Sequence, residues 1–248
     1  MLGGHSSGSF VAFTESERVV GEAAVGQAST NPKHTVANMH LLLGQSLDAC
    51  KAAKWAEHAA YRLEDASEAR GGSVAVAVTL RGEAKTFGAE ALTAMLLAQL
   101  KGLATAATDG ATLTFGLAVP PWFSPDAKAA LVDAAAIAGM HGAEPGDNTK
   151  QSIILVAAPE ALCRVFAMKH PVEVSTDATS AGGDGSSDSK VHLFVDIGAT
   201  HCTATAGRFF APGCGPKDGE SSLCVVALKT HFGLLMPLAN THTWIYLP

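Results

Sequence analysis

The clearest chemical signal in the sequence is the segment Asp196-Ile197-Gly198-Ala199-Thr200, where an apolar run of strand character breaks into small residues. Small residues after a strand let backbone N–H groups approach a phosphate, and carboxylate and hydroxyl groups can complete such a site. The alternative is that Asp196 merely ends a strand and that Thr200 and Thr203 are ordinary polar residues. The pattern is thus compatible with a phosphate-binding turn and with a simple strand end.

Other residues with chemical potential give weaker signals. His192 and His201 lie nine positions apart with Cys202 adjacent, but they lack the paired ligand spacing of a zinc site, so we expect no metal site. The five cysteines include no C-x-x-C pair, and no signal-peptide pattern opens the sequence. A reducing, cytoplasmic setting with buried free thiols is therefore the expectation.

Composition narrows the classes of partner. The 248 residues are 48% hydrophobic and 16% charged, which is typical of a soluble chain with a substantial core. The net charge of -6 comes with no basic block, so nucleic acid is not expected as a partner. Prolines and histidines interrupt the apolar character of residues 230–248, so we expect no membrane association.

Hydrophobic periodicity predicts an alternation of strands and helices, which is typical of the α/β class. A hairpin is predicted over residues 9–20, and Thr35 is a candidate cap for a helix ending at Leu43. Strands are predicted at 73–80, 112–119, 151–157, 191–197 and 223–229, and helices at 89–106, 124–139 and 159–168. The buried stripe predicted for the helix after Ser124 consists of Ala127, Ala130, Leu131, Ala134 and Ile137.

Several stretches resemble the nucleotide-binding domain of the DnaK-type, seventy-kilodalton heat-shock chaperone family. Residues 10–14, 17–24 and 31–36 resemble its opening third without a gap. The AVPPWF sequence at 118–123 resembles its strand and "VPAYF" turn, and the VDIG sequence at 195–198 resembles its second phosphate loop. The similarity covers most of residues 6–207.

The resemblance implies an actin-like ATPase fold, with mixed sheets flanked by helices, in an incomplete form. Residues 1–157 would form an incomplete lobe I and residues 158–230 the first part of lobe II. A flexible insert is expected at 171–190 and an atypical tail at 231–248. The implied cofactor is ATP or ADP with magnesium, contacted by Asp196, Gly198, Ala199 and Thr200, with Asp196 near a metal-bound water. The implied partners are other chaperones or unfolded and nascent polypeptides.

The same resemblance exposes departures at the positions that carry the family's chemistry. The family's lysine aligns with His40, and its catalytic glutamate aligns with Ala158, two residues before Glu160. In the phosphate loop two glycines are replaced by Ala199 and Thr200 and the closing aspartate by Thr203, and the family's first phosphate loop would precede Met1. We therefore predict no catalytic residue and weak or absent nucleotide binding, because phosphoryl transfer depends on alignment and charge stabilisation.

Three functional hypotheses remain open at this stage. The first is a divergent chaperone-family protein that acts in protein folding without efficient ATP hydrolysis. The second is an ATP-dependent chaperone ATPase, and the third is a truncated fragment without function. The form of the loop suits the larger relatives that act as nucleotide-exchange partners, whereas the helix at 133–139 suits these or the ribosome-associated members, and the sequence does not separate these branches.

Overall fold

The computed structural model describes residues 7–66, 73–108, 114–140, 153–170, 189–197, 202–210, 223–228 and 243–247. The chain divides into two compact units. The first unit comprises Met1–Leu117 and Phe123–Ile154, and the second comprises Ala118–Trp122 and Leu155–Pro248. The lobe boundary expected at residue 157 stays a prediction.

The first unit begins with the predicted hairpin. Strand β1 (Phe10–Phe13) pairs antiparallel with β2 (Arg18–Val20), and it pairs on its other side with β3 (Thr35–Ala37). The backbone N–H of Glu17 donates to the Thr14 hydroxyl at 3.0 Å and so closes the turn between β1 and β2. The clustering of turn-forming residues between two apolar runs therefore located this hairpin correctly.

The helix predicted from Thr35 to Leu43 does not form. β3 occupies its first part, Asn38 takes a left-handed conformation at φ 56°, and a short 3-10 helix covers Met39–Leu41. The Thr35 hydroxyl donates to the Asn31 carbonyl at 2.8 Å instead of capping a helix. Pairing of β3 with β1 buries Thr35 and Val36, so a tertiary contact overrides the local preference.

The rest of the first unit is a second three-stranded sheet with helices. Its strand order is β4-β5-β6, and both pairings are antiparallel. The strands are β4 (Arg62–Asp65), β5 (Val74–Leu80) and β6 (Glu83–Gly88). The α-helices are α1 (Glu22–Val25), α2 (Leu47–Ala52), α3 (Ala89–Ala107) and α4 (Pro125–Ile137), and two further 3-10 helices cover Pro32–His34 and Lys54–His58.

Helix α4 begins as the sequence predicts, since the Ser124 hydroxyl accepts a hydrogen bond from the N–H of Ala127 at 3.1 Å. Its predicted stripe is buried except for Ile137, which is 63% exposed because Ala135 faces the core in its place. In α3, helical spacing predicts one apolar face formed by Leu92, Met95, Leu96, Leu100 and Leu103. Leu92 is buried, but Leu100 and Leu103 are exposed. The predicted stripes therefore hold along most of α4 but only at the start of α3.

A close backbone approach joins α4 to the loop before α2. Gly44 has φ +66°, and a Cβ placed on it would collide with the backbone of Asp126 and Ala127. Only glycine satisfies both conditions, because a positive φ and the absence of a side chain are needed together. This glycine sets how closely α4 can pack in the first unit.

The main sheet of the second unit has the strand order β11-β10-β9-β12, and all three pairings are antiparallel. Its strands are β9 (Ser189–Ile197), β10 (Cys202–Phe210), β11 (Leu223–Leu228) and β12 (Thr243–Leu247). Helix α5 (Ala158–Lys169) follows β8 (Ile154–Ala157), which pairs with β7 (Gly116–Val119). The expected insert at 171–190 lies outside the described residues up to 188, and only β12 of the expected tail is described.

The described core of the second unit is a small cluster between α5 and the β9–β10 hairpin. Cys163, Phe194 and Phe209 are buried, and Leu162, Phe166 and Ala167 pack against them. A Cβ on Gly207 would lie 3.0 Å from Sγ of Cys163 and 3.1 Å from the Phe209 ring. The glycine on β10 thus leaves the space that the Cys163 side chain occupies.

Candidate functional site

Strand pairing brings the predicted site residue Asp196 next to two buried hydroxyls. Asp196 lies opposite Thr203 in the β9–β10 hairpin, and Phe194 lies opposite Thr205. Residues that face each other across a pair, and residues two apart along a strand, share one side of the sheet. Thr203 and Thr205 are 7% and 3% exposed, so one face of the hairpin presents a half-buried carboxylate beside two buried hydroxyl groups.

The start of α5 and the turn after β7 complete a cleft of about 100 Å³ within the second unit. Pro159 lies in the first turn of α5 and Ala158 is its first residue, while the Pro120-Pro121-Trp122 turn supplies the other wall. The residues that line the cleft are Ala118, Pro120, Pro121, Trp122, Ala158, Pro159, Leu162, Phe194, Asp196, Thr203 and Thr205.

The structure therefore brings together three of the positions singled out in the sequence, namely Ala158, Asp196 and Thr203. Gly198, Ala199 and Thr200, predicted to contact the nucleotide, lie outside the described residues. His40 belongs to the first unit, where it lies half-buried in the 3-10 helix Met39–Leu41. The predicted nucleotide contacts of these residues stay predictions.

Glu160 does not take the place of the missing glutamate in this cleft. Its carboxylate binds Arg164 one helical turn along α5, with Oε1 2.7 Å from Nη2. Glu160 is also absent from the residues that line the cleft. Ala158 therefore leaves a methyl group where the resemblance places a carboxylate.

Sequence reasoning did not assign a role to the apolar walls of the cleft. Trp122, Pro120 and Pro121 were recognised only as part of a turn that resembles the family's, and Thr205 carried no signal. The Pro-Pro-Trp sequence directly after a strand was the available hint, because it places a large ring beside a strand end. Its proximity to Asp196 is a tertiary contact that spacing cannot reveal.

The charge of the lining decides how well a nucleotide with magnesium fits it. Asp196 and Thr203 have the oxygen atoms that magnesium and its waters prefer. Among the described lining residues, however, there is no lysine, arginine or histidine to offset the charge of a triphosphate. The described side chains of the cleft thus do not fit a polyphosphate.

The titratable groups next to the cleft are suited to packing rather than to catalysis. Burial raises the pKa of the Cys163 thiol, and the neighbouring Glu160 raises it further, so the reactive thiolate form is disfavoured. Burial also raises the pKa of Cys50, in the first unit, to about 11. Among the described residues, no three His, Cys, Asp or Glu side chains are arranged to hold a metal ion, and no helix is long and apolar enough to span a bilayer.

An aromatic cluster that contains two histidines lies beside the core of the second unit. The Phe166 ring is centred 4.6 Å from His170 and 5.1 Å from His192, and His192 is 5.3 Å from Phe209. Burial lowers the pKa of His192, and the nearby Lys190 and His170 lower it further. The neutral imidazole is therefore the form that this packing favours.

The fold, with several small sheets and flanking helices, is of the α/β class and of the actin-like ATPase type. The family model described as Hsp70 protein matches residues 2–143, which is more than half of the chain. The chain belongs to the Hsp70 family. Both the resemblance found in the sequence and the predicted fold class are thereby confirmed.

Three individual relatives show how much of the chain is similar to proteins of this family. The chain is 34% identical over 139 residues to a heat shock 70 kDa protein of Neurospora crassa, covering 56% of this chain and 21% of that protein. It is 34% identical over 133 residues to a ribosome-associated molecular chaperone of Eremothecium gossypii, covering 54% and 21%. Its match to a heat shock protein homolog of Lachancea kluyveri has 28% identity over 231 residues, covering 92% and 29%. The chain thus spans about a fifth to a third of the length of these relatives.

Proposed function

We propose that this chain acts in protein folding as a divergent Hsp70-family protein without efficient ATP hydrolysis of its own. The observation that carries the proposal is Ala158, which lines the cleft together with Asp196 at the position where the family resemblance expects the catalytic glutamate. A methyl group can neither accept a proton nor orient a water molecule or a metal ion. The described residues of the cleft thus lack the group that would align the attacking water.

His40 supports the same proposal from the first unit. It aligns with the family's lysine, and it lies half-buried in a single turn of 3-10 helix and already takes part in an interaction within the chain. A lysine supplies a compact positive charge on a flexible stem, whereas an imidazole is not a permanent cation. Charge stabilisation of a phosphoryl group would be weaker with this substitution.

For the cofactor, we propose that ATP or ADP with magnesium binds weakly or not at all. The family binds these nucleotides, while the described cleft residues of this chain carry one carboxylate and no cation. Calorimetry of the purified chain with magnesium-ATP tests this proposal. Saturable binding at micromolar nucleotide would contradict it, and undetectable binding at that concentration would support it.

Single-turnover hydrolysis separates the loss of catalysis from the loss of binding. If nucleotide still binds, we expect Ala158→Glu to raise the rate by about a hundredfold, the range expected when a group that positions the attacking water is restored. Met168→Glu is the matched control, because it adds the same carboxylate to an 84% exposed position of α5. Efficient turnover by the unaltered chain would contradict the proposal.

We propose unfolded or nascent polypeptides, or other chaperones, as the partners, and the cytoplasm as the location. One relative is named a ribosome-associated molecular chaperone, and the described cysteines, Cys50, Cys163 and Cys202, are free thiols. The partner proposal is tested by following the light scattering of a chemically unfolded protein diluted into buffer. Suppression of its aggregation by this chain without ATP is the expected result, and aggregation at an unchanged rate would contradict it.

A further inference from the structure

The composition of the cleft in the second unit also indicates what it can bind. Its described lining holds one carboxylate, Asp196, and two hydroxyls, while all other members are alanine, proline, leucine, phenylalanine or tryptophan. None of these described residues carries a positive charge. The side chains therefore attract a cation and offer no counter-charge to an anion.

We propose that this cleft takes the arginine side chain of a partner polypeptide. A guanidinium group is planar and weakly hydrated, so it stacks on aromatic rings and donates to a carboxylate at the same time. Trp122 and the two prolines before it supply an apolar wall, and Asp196 supplies the acceptor. A lysine ammonium is a strongly hydrated point charge and suits such walls less well.

The size of the cleft agrees with a group as small as a guanidinium. Its volume is about 100 Å³, which is smaller than the cavity of about 150 Å³ that holds benzene in an engineered protein. A planar group of four heavy atoms fits this space, whereas a drug-sized ligand needs about 300 Å³ or more. The cleft thus suits the end of one side chain.

The position of Asp196 strengthens its interaction with a cation. Oδ1 of Asp196 is shielded from solvent, and a charge pair is worth more where water is excluded. The side chain already takes part in an interaction within the chain. Because Oδ1 is shielded, the guanidinium would bind Oδ2, which has about two lone-pair sites of its own.

The first turn of α5 acts in the opposite direction, since a helix N-terminus attracts anions. Here Pro159 removes one N–H group from that turn, and Glu160 adds a negative charge to it. Ala157, at the N-cap, makes no side-chain hydrogen bond. The charges of the described residues around the cleft therefore still favour a cation. Inorganic phosphate is included in the test as the competing ligand.

The proposal is tested by NMR titration of the full chain with acetyl-Gly-Arg-Gly-amide, with the same peptide carrying citrulline, and with inorganic phosphate. Citrulline keeps the shape of arginine but replaces the guanidinium by a neutral urea. We expect saturable binding of the arginine peptide, binding of the citrulline peptide weaker by about tenfold or more, and no binding of phosphate at this cleft. Equal binding of both peptides, absence of arginine binding, or displacement by phosphate would overturn the proposal.

Variants of the chain give a second, independent check. We expect Asp196→Asn to weaken arginine binding by about tenfold, and Ala158→Glu to tighten it severalfold by adding a second carboxylate to the cleft. Glu83→Gln is the matched control, because it removes one negative charge from an exposed side chain of the first unit. If Asp196→Asn fails to fold, Ala158→Glu and the citrulline comparison still decide. No nucleotide is present, so failure here would leave the proposal on ATP hydrolysis standing.

Discussion

The first unit buries a larger and mainly aliphatic core, whereas the described core of the second unit is small and mostly aromatic. In the first unit the fully buried side chains include Val11 and Val74 from two sheets, Leu92 from α3, Leu42 from a turn, and Phe13, whose ring stacks on Phe87. In the second unit Phe194 and Phe209 pack around Cys163, with Phe166 and His192 beside them. The cleft, whose described lining holds one carboxylate, also lies in the second unit.

The part of the chain that the family model matches is thus largely separate from the part that holds the cleft. The family model ends at residue 143, so it matches most of the first unit and little of the second. The departures at Ala158 and Thr203 lie beyond that limit and line the cleft. Membership of the family therefore does not carry the activity of the family to this chain, because function depends on particular side chains.

The largest effects are expected from truncating one core residue in each unit. Leu92→Ala should lower the free energy of unfolding by about 2–5 kcal/mol and Phe209→Ala by about 3–5 kcal/mol, because both side chains are buried and leave a cavity. Urea unfolding measures both. The controls are Leu103→Ala on α3 and Val191→Thr on β9, which change exposed side chains and should cost about 0.5 kcal/mol or less. A Phe209→Ala cost equal to its control would contradict the aromatic core.

The next largest effect tests how rigidly the first unit is packed. Gly44→Ala should cost about 2–4 kcal/mol, because a positive φ and a collision with the backbone of α4 act together. The matched control is Gly82→Ala, where φ is +78° and nothing lies within 4 Å of the new Cβ, so strain alone should cost about 1 kcal/mol. Thermal unfolding of the two variants gives the difference. Equal losses would show that α4 can move away from Gly44.

A smaller effect is expected at the start of α4. Ser124→Ala removes the hydroxyl that accepts from the N–H of Ala127, which should lower the free energy of unfolding by about 1 kcal/mol. Ser124→Asp keeps an acceptor at the same place and should retain most of the stability. Denaturant unfolding of both variants distinguishes a cap from a simple change of surface. A loss of stability as large with aspartate as with alanine would argue against capping.

The smallest effect concerns the acid response of the second unit. Because the pKa of His192 is lowered in the folded chain, the unfolded chain binds more protons once the pH falls through about 6.5. Stability that is present above this pH should therefore be lost progressively below it. The free energy of unfolding should be lower at about pH 5.5 than at about pH 8, and His192→Gln should make this difference smaller. His58→Gln, at an exposed histidine of the first unit, should leave the loss unchanged.

Much of the fold could be predicted because its signals are local. The turn at Thr14 and Glu17, the cap at Ser124 and the alternation of β5 all depend on neighbouring residues. The helix expected from Thr35 failed because pairing of β3 with β1 decided the structure instead. Ile137 was expected to be buried, but α4 turns Ala135 toward the core and leaves Ile137 exposed.

The candidate site was only partly predictable. Asp196, Thr203 and Ala158 could be singled out by resemblance to the family, and the structure brings these three to one cleft. Strand β10 (Cys202–Phe210) was not predicted, because most of its residues are small or polar and give no apolar run. The contact of Trp122 with the same cleft joins segments about 70 residues apart, and no local pattern encodes such a contact.

The space above Gly207 has a consequence for which substitutions this chain can accumulate. Any side chain at position 207 meets Sγ of Cys163 at 3.0 Å and the Phe209 ring at 3.1 Å, so an alanine is hindered while the cysteine is present. A prior change of Cys163 to alanine would remove the nearest of these contacts and leave only the Phe209 ring to shift by a few tenths of an ångström. A side chain at position 207 is thus expected to be tolerated more readily after Cys163, on α5, has been replaced by a smaller residue.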